Sequence, residues 1–378
     1  MRNLFLMAAA ITSMTVVLSS LVGHAGTFIP LPLYPDSVSM TVWDVSNSNV
    51  VVGSYTNPDG TVHGFVGTMD GNYTSFDTPL GDTHAKSIND DGYITGWGAG
   101  EAREGIWGDA FLRKPNGIIV PVTKDGVTVD GQSTGIRQHV KFVGEWWYYD
   151  PNQAHFYTYG FYGKGTKWQS DLTLPFNTDS TRPRGYNKAE NVVGYFRNLG
   201  GATQILEGFV LAGGVATAFA DPDPEAVGTL GEGINDKGIV AGYWYNNGAT
   251  LTRAFLFNPR TGGFKQINNL GANIMYAGGI NNNELVAINI TDNNTYNDAP
   301  YIYCSNKRTC PQSPNAIEVP DRWRPPTPRS VHRMLCRNGC VSQAPHRVGK
   351  ASARPGVLRE AMKSDLALRL ERRLDHTH

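Results

Sequence analysis

A unit of about 45 residues recurs along most of this chain, and a repeat of that length restricts the fold before any single residue is weighed. Its clearest copy is Gly231-Glu-Gly-Ile-Asn-Asp-Lys-Gly-Ile-Val-Ala-Gly-Tyr-Trp244, followed by Arg253-Ala-Phe-Leu-Phe257 and Phe264-Lys-Gln-Ile267. Earlier copies run Lys86-Ser-Ile-Asn-Asp-Asp-Gly-Tyr-Ile-Thr-Gly-Trp97 with Asp109-Ala-Phe-Leu-Arg113, and Arg184-Gly-Tyr-Asn187 through Gly194-Tyr195 with Glu207-Gly-Phe-Val-Leu211. Aligned on the glycine that closes the second strand, the copies fall at Gly53, Gly96, Gly144, Gly194 and Gly242, with Ala287 as the sixth.

Upstream of each anchor lies a turn residue: Asn47, Asn89, Arg137, Asn187, Asn235 and Asn281. Asn and Gly at such places tolerate positive φ and allow a tight reversal between two strands. Downstream, after a loop of variable length, comes an aromatic strand: Phe65, Phe111, Phe161, Phe209, Phe255 and Tyr301. A second Gly-bearing turn then leads to a fourth strand such as Ile118–Val122. Each unit therefore reads as two hairpins without helical periodicity.

One sheet of four strands cannot cover both of its faces, so it must stack on its neighbours. The pattern predicts an all-β fold, a β-propeller of about six four-stranded blades. Phe28–Leu33 reads as a spare outer strand that completes the last blade and closes the ring, which removes exposed edges. A solenoid and paired β-sandwiches are the structural alternatives.

The pattern Asn-x-x-Gly-x-Ile-x-Gly, a loop, then His-Gly-Phe or His-Ala-Phe resembles the bacterial extracellular repeats called HAF after that tripeptide. The nearest match is Ser54–Val66 with its His63-Gly-Phe65, through Asn72–Pro79 to Ile88-Asn-Asp-Asp-Gly92. The resemblance covers roughly residues 40 to 305 and implies a secreted or surface-associated, propeller-like protein of undefined activity. The third copy departs from it, with Arg137, Gln138, His139 and Val140 at the turn, and the family's His is present only as His63.

Outside the repeats, Arg2 precedes a largely apolar run from Leu4 to Val22 that ends in Gly23-His24-Ala25. This order predicts a secretory signal over 1–25, cleaved after Ala25, with an uncleaved anchor as the alternative. Export permits disulfides, and the polar stretch between Cys304 and Cys310 suits a stapled turn. Cys336 and Cys340 follow in the tail, and the four cysteines match no common zinc spacing.

The repeat domain is placed at 26–320 and a basic, Pro/Arg-rich tail at 321–378. That tail holds 13 Lys/Arg against 5 Asp/Glu, whereas residues 1–320 hold 20 against 28. The acidic balance of the repeats argues against nucleic acid as a partner. Leu358, Met362, Leu366, Leu370 and Leu374 recur every four residues among basic side chains, the spacing of a short amphipathic helix that can touch a membrane surface. The abrupt change in composition favours an unstructured or out-of-frame extension over that reading.

No Gly-x-Ser-x-Gly, His-Glu-x-x-His or phosphate-loop motif is present, so no catalytic residue, metal ligand or cofactor is assigned. His63 stands at a strand start that other copies fill with Asp109, Tyr159, Glu207 or Arg253, which marks it as structural. His84, His139 and His155 show no paired carboxylate spacing. Asp292–Asp298 offers clustered oxygen ligands but lacks the Gly and closing Glu of a calcium loop.

The candidate ligand-binding residues are aromatic: Trp146, Trp147, Tyr148 and Tyr149, with Trp97 and Trp244 beside repeat glycines. Strand alternation would place one Trp and one Tyr of the quartet on each face. The resulting expectation is a secreted, non-enzymatic binding or structural module for a glycan or protein. The alternative is a carbohydrate-active enzyme such as a lyase, which requires two carboxylates, or a His and a Tyr, to converge on one pocket.

Overall fold

The computed structural model describes residues 25–320 except 80, 100–107, 151, 154, 201–204, 268–269, 293–294, 296, 307–309 and 314. The signal segment, Trp107, the tail with Cys336 and Cys340, and the tail's helix all lie outside the described residues. Ala25–Pro30 forms β1, and blade 1 follows as β2 (Ser39–Val45), β3 (Val50–Thr56), β4 (Val62–Thr68) and β5 (Tyr73–Phe76). Blade 2 is β6 (Asp82–Ile88), β7 (Ile94–Ala99), β8 (Asp109–Arg113) and β9 (Ile119–Pro121). A short hairpin, β10 (Thr123–Lys124) and β11 (Val127–Thr128), leads into blade 3: β12 (Gly131–Arg137), β13 (Lys141–Asp150), β14 (His155–Lys164) and β15 (Lys167–Leu172). Blade 4 is β16 (Thr181–Tyr186), β17 (Val192–Asn198), β18 (Ile205–Ala212) and β19 (Val215–Phe219). Blade 5 is β20 (Gly228–Ile234), β21 (Val240–Tyr245), β22 (Thr252–Asn258) and β23 (Gly263–Gln266). Blade 6 is β24 (Ile274–Ile280), β25 (Leu285–Thr291) and β26 (Asp298–Cys304), and β27 (Ile317–Pro320) comes last.

The fold is the expected six-bladed β-propeller. Each blade is an antiparallel meander whose first strand lies nearest the axis, and the ring closes through β1. Blade 6 has the strand order β24-β25-β26-β1-β27, so the N-terminal strand supplies its fourth strand and β27 adds a fifth. Thr27 pairs with Cys304 and Phe28 with Tyr303 on one side of β1, and Gly26 with Val319 on the other.

The anchor glycines owe their place to the aromatic strand. Gly53, Gly96, Gly144, Gly194 and Gly242 face Phe65, Phe111, Phe161, Phe209 and Phe255 across the second and third strands. A Cβ at Gly242 would stand 2.1 Å from Leu230 O and 2.8 Å from Phe255 Cζ, so only glycine leaves room for the ring. The same pairing corrects two alignments. Ile288, not Ala287, faces Tyr301, and Ser46, not Asn47, holds the turn position in blade 1, where its Oγ accepts from Val50 N at 3.1 Å. With those corrections the turn residue lies seven positions before the anchor in every copy.

Those asparagines also work differently from the expectation. None of Asn89, Asn187, Asn235 and Asn281 has positive φ; that conformation falls three residues later, at Gly92 (80°) and Gly238 (82°). The asparagine side chain instead joins blades. Asn89 Oδ1 accepts from Tyr93 N within its own turn, while its Nδ2 donates to Arg137 O of blade 3 at 3.1 Å. Asn187 reaches Asn235 O, Asn235 reaches Asn281 O, and Asn281 reaches Ser46 O across the closure. In blade 3 the turn residue is Arg137, whose guanidinium pairs with Glu190 and lies 4.8 Å from the Tyr186 ring centre.

The core is a circle of apolar layers between blades. Val52, Ala85, Ile88 and Ile94 join blades 1 and 2, and Ala110, Leu112, Ile136, Phe142 and Phe161 join blades 2 and 3. Ile29, Leu31, Met40, Val42 and Ile302 fill the junction of blade 6 with blade 1. Cys304 and Cys310 meet in that layer, but both are free thiols, so the expected disulfide is not formed. The Cys304 thiol lies 3.3 Å from Asn306 O instead, and burial first, with Cys310 beside it, raises its pKa.

Candidate functional site

Every inner strand carries a β-bulge near the axis, between Val42 and Asp44, Ala85 and Ser87, Ser133 and Gly135, Pro183 and Gly185, Gly231 and Gly233, and Ala277 and Ile280. A bulge turns the extra side chain out of the ladder. Here the extra residues, Trp43, Lys86, Thr134, Arg184, Glu232 and Gly278, all line one central cavity of about 750 Å³. The chemistry at the axis is therefore set by six positions that occupy one place in the repeat and differ in every copy.

Close approach at this level is allowed by small residues. A Cβ on Gly233 would meet Gly279 Cα at 2.7 Å, and one on Gly185 would meet Ile234 N at 2.8 Å. Blade 1 has Asp44 at the corresponding place, and its carboxylate occupies the space beside Gly279. Asp44 accepts from Ser87 Oγ at 2.6 Å, Ile88 N at 3.0 Å and Val45 N at 2.8 Å. Desolvation outweighs these donors and raises its pKa to about 6. The folded state thus holds the Asp44 proton more tightly than the unfolded chain does, so stability falls as pH rises from 3.8 through about 6. Asp44→Asn is expected to remove that fall; melting temperatures of both proteins across this range, equal in slope, would show that Asp44 is not the titrating group.

Above the bulges, the wall on the blade 3 to blade 5 side carries a charged cluster. Glu145 is fully buried and accepts from Gln132 Nε2 at 2.7 Å, Arg184 Nη1 at 2.9 Å and Trp147 Nε1 at 3.2 Å. Burial alone would raise its pKa, but Arg184 and then Arg182 overcome that and hold it below the usual range. Arg184 also donates to Tyr195 OH at 2.8 Å and lies 3.7 Å from Glu232. Burial opposes its charge, yet Glu145, Tyr195 and Glu232 raise its pKa well above normal. Arg182 and Arg184, two residues apart on β16, place their guanidinia 5.9 Å and 4.9 Å from the Tyr195 ring centre. On the blade 1 and 2 side, Lys86 Nζ stands 3.4 Å from the ring centre of Trp43, a cation–π contact.

The mouth is asymmetric because β13 and β14 are ten residues each, while the corresponding strands of the other blades have five to eight. The long hairpin carries Trp147, His155, Phe156, Tyr157 and Thr158 to the cavity lining. Opposite-strand register puts Trp146 with Tyr159 and Tyr148 with Tyr157 on one face, and Trp147 with Thr158 and Tyr149 with Phe156 on the other. The alternation expected of the quartet is thus present. Tyr148, Tyr149 and Tyr159 are exposed, at 47, 45 and 40%. Trp146 stacks on Tyr159 at 4.8 Å, and Tyr157 lies parallel to Tyr159 at 6.0 Å.

Trp97 and Trp244 do not join this surface. Trp97 is 5% exposed, stacked on His84 at 4.1 Å and met edge-on by Trp147 at 6.4 Å. Burial, aided by Lys86, drops the His84 pKa to about 3, so that ring is neutral. Trp244 is 2% exposed and packs with Val193, Phe219 and Phe255 between blades 4 and 5. A repeat glycine beside a tryptophan marked blade packing in both cases.

Two histidines have partners that their sequence positions conceal. His155 Nε2 lies 2.6 Å from Asp179 Oδ2, and Arg197 Nε donates to Asp179 Oδ1 at 2.7 Å, forming a polar group on the rim. Ser180 links it to Arg182, whose Nε donates to Ser180 Oγ at 3.3 Å. His63, far out on blade 1, pairs with Asp77 at 2.8 Å and does not line the cavity. Asp298, the last carboxylate of the acidic loop, is buried and accepts from Tyr276, from Thr41 at 2.8 Å and from Thr291 at 2.7 Å.

Among solved structures, the chain is similar to the β-propeller domain of the Trilobed protease from Pyrococcus furiosus, at 10% identity and TM-score 0.42, over 71% of this chain and 94% of that one. It is similar to AofleA from Arthrobotrys oligospora at 13% identity and TM-score 0.44, over 78% and 91%. It is also similar to a variant of the Aleuria aurantia lectin AAL in complex with Fucα1-6GlcNAc, at 9% identity and TM-score 0.43, over 68% and 90%. No family model and no curated protein matches the sequence, and the chain's own six sheets show its fold, a six-bladed β-propeller.

Proposed function

We propose that the propeller is an exported binding module that holds a glycan at the mouth of its central cavity, against the blade 3 hairpin. One observation carries this reading. Only the hairpin of β13 and β14 outgrows the repeat among the described blades, and its extra length is spent on aromatic side chains at and around the mouth. Flat rings offer large contact area with little rotamer entropy to lose, which suits the apolar faces of sugars. Trp147 is the natural platform, since Glu145 fixes its indole N–H at 3.2 Å.

Export is supported by the apolar run that ends at Ala25, and membership of the HAF-repeat group by the residues aligned above. The basic tail is proposed as a secondary contact to an anionic surface.

The convergence required of an enzyme is partly present, because His155, Tyr157, Glu145 and Glu232 share the cavity. Binding is favoured because both carboxylates are engaged by Arg184, and Glu145 is held ionised, which disqualifies it as a proton donor near neutral pH. Trp147→Ala is expected to weaken glycan binding by about 2 kcal/mol, roughly 30-fold, measured by calorimetry after a glycan-array screen. New reducing ends or a new ultraviolet-absorbing double bond in a polysaccharide incubated with the protein would establish the enzymatic reading instead.

A further inference from the structure

The repeat region is acidic overall, with 20 basic against 28 acidic residues over 1–320, yet six basic side chains against five acidic ones line the cavity. Lys86, Arg182, Arg184 and Arg197 are four of the six, with Glu145 and Glu232 among them and Asp179 bound to Arg197 at the rim. Cations gathered in a concave, low-dielectric wall focus a positive potential there, whatever the net charge outside.

Their arrangement is directional. Arg197 stands at the rim on β17 beside Ser180, Arg182 faces Tyr195 near the start of β16, and Arg184 lies two residues deeper on the same strand. The bulge at Arg184 brings its guanidinium to the same Tyr195 ring that Arg182 covers, at 4.9 and 5.9 Å from the ring centre, so the two descend from the mouth toward the axis with Tyr195 behind them. The deepest, Arg184, is neutralised by Glu145 and Glu232 and forms a fixed floor. Arg182 and Arg197 border the mouth beside the aromatic hairpin, joined to it through Asp179 and His155, and Lys86 stands across the cavity on Trp43. A ring face next to a planar donor fork suits a sugar that carries an anionic substituent, because guanidinium matches carboxylate or sulfate with two parallel donors.

We propose that the mouth selects acidic glycans, with the sugar face on Trp147 and the anionic group at Arg182. This inference rests on the glycan-binding reading of the same site and adds the class of ligand to it. Binding of an oligogalacturonate, of its methyl-esterified form and of a neutral glucan oligomer, measured by calorimetry on the mature protein at low and high salt, tests it. The acidic oligomer is expected to bind at least about 10-fold more tightly than its ester, the strength of one charge-assisted contact, and to weaken as salt rises. Arg182→Gln should remove that preference, while Arg182→Lys keeps part of it; unchanged melting temperatures certify both folds. Equal affinity for acid and ester, lowered by Trp147→Ala and indifferent to Arg182→Gln, would overturn the acidic preference and leave glycan binding intact. Failure of all three oligomers to bind overturns the acidic preference, and a glycan array that is blank as well removes the glycan reading with it.

Discussion

Removal of residues 25–31 is expected to unfold the propeller rather than trim one edge of it. The segment contains β1, which pairs with β26 on one side and β27 on the other. Phe28 is fully buried between Tyr301 and Tyr303, at ring separations of 6.1 and 5.1 Å, and Ile29 and Leu31 are 3% and 5% exposed. Burial of each such side chain contributes about 1.5–3 kcal/mol, so the three together approach roughly 5–9 kcal/mol. Domains of this kind have about 5–15 kcal/mol in total. Loss of the strand also leaves β26 as an open edge, a template for aggregation. Phe28→Ala alone should cost about 3–5 kcal/mol. Chemical denaturation followed by circular dichroism checks both; a truncated protein with an unchanged midpoint would show that the ring does not depend on its borrowed strand.

Arg184→Ala is expected to lower stability by about 3–5 kcal/mol, because it strands a buried carboxylate. Glu145 would keep the donors Gln132 and Trp147 and the more distant Arg182 but lose the counter-charge bonded to it. The pH dependence has a definite sign. In the parent protein the Glu145 pKa is depressed below its ordinary 4.5, so its contribution is present above that value and lost as pH falls through the lower, folded pKa. Without Arg184 the same carboxylate is destabilised when charged, so the variant's deficit should shrink as the solution is acidified. Adding Glu145→Gln to Arg184→Ala should recover part of the loss, since an amide needs no cation. A deficit within about 0.5 kcal/mol at neutral pH would place the pair among the weak surface contacts.

The repeat made the architecture readable because the same local conflict recurs in almost every copy: a large ring in the third strand needs an empty position in the second. Where that solution changes, the sequence alignment slipped. Ile288 stands in place of the anchor glycine opposite Tyr301, and Ser46 replaces asparagine at the turn of blade 1, so one landmark in each outer copy is displaced by one residue from the sequence pattern. Closure by β1 was legible because Phe28–Leu33 had strand character without a unit of its own. The aromatic quartet was legible through strand alternation, which holds across β13 and β14.

The cavity itself was not legible. Its lining comes from bulges, and a bulge is a shift of register that leaves no fixed residue type behind: Trp43, Lys86, Thr134, Arg184, Glu232 and Gly278 share a place but no chemistry. Nor could spacing reveal His155 with Asp179, 24 residues apart and joined by the return of the chain to the rim. The burial of Trp97 and Trp244 is hidden from the sequence for a related reason. Position beside a glycine says where a side chain starts, whereas the packing of the adjacent blade decides whether its face remains open.

Hydrogen exchange on the protein saturated with an acidic oligosaccharide tests binding at the mouth most directly. Protection is predicted in the hairpin from Trp146 to Thr158, in Asp179–Arg184 and around Arg197, with the turns at Asn89, Asn187, Asn235 and Asn281 unchanged. Protection confined to those turns or to the outer strands, with the hairpin exchanging as in the free protein, would contradict it.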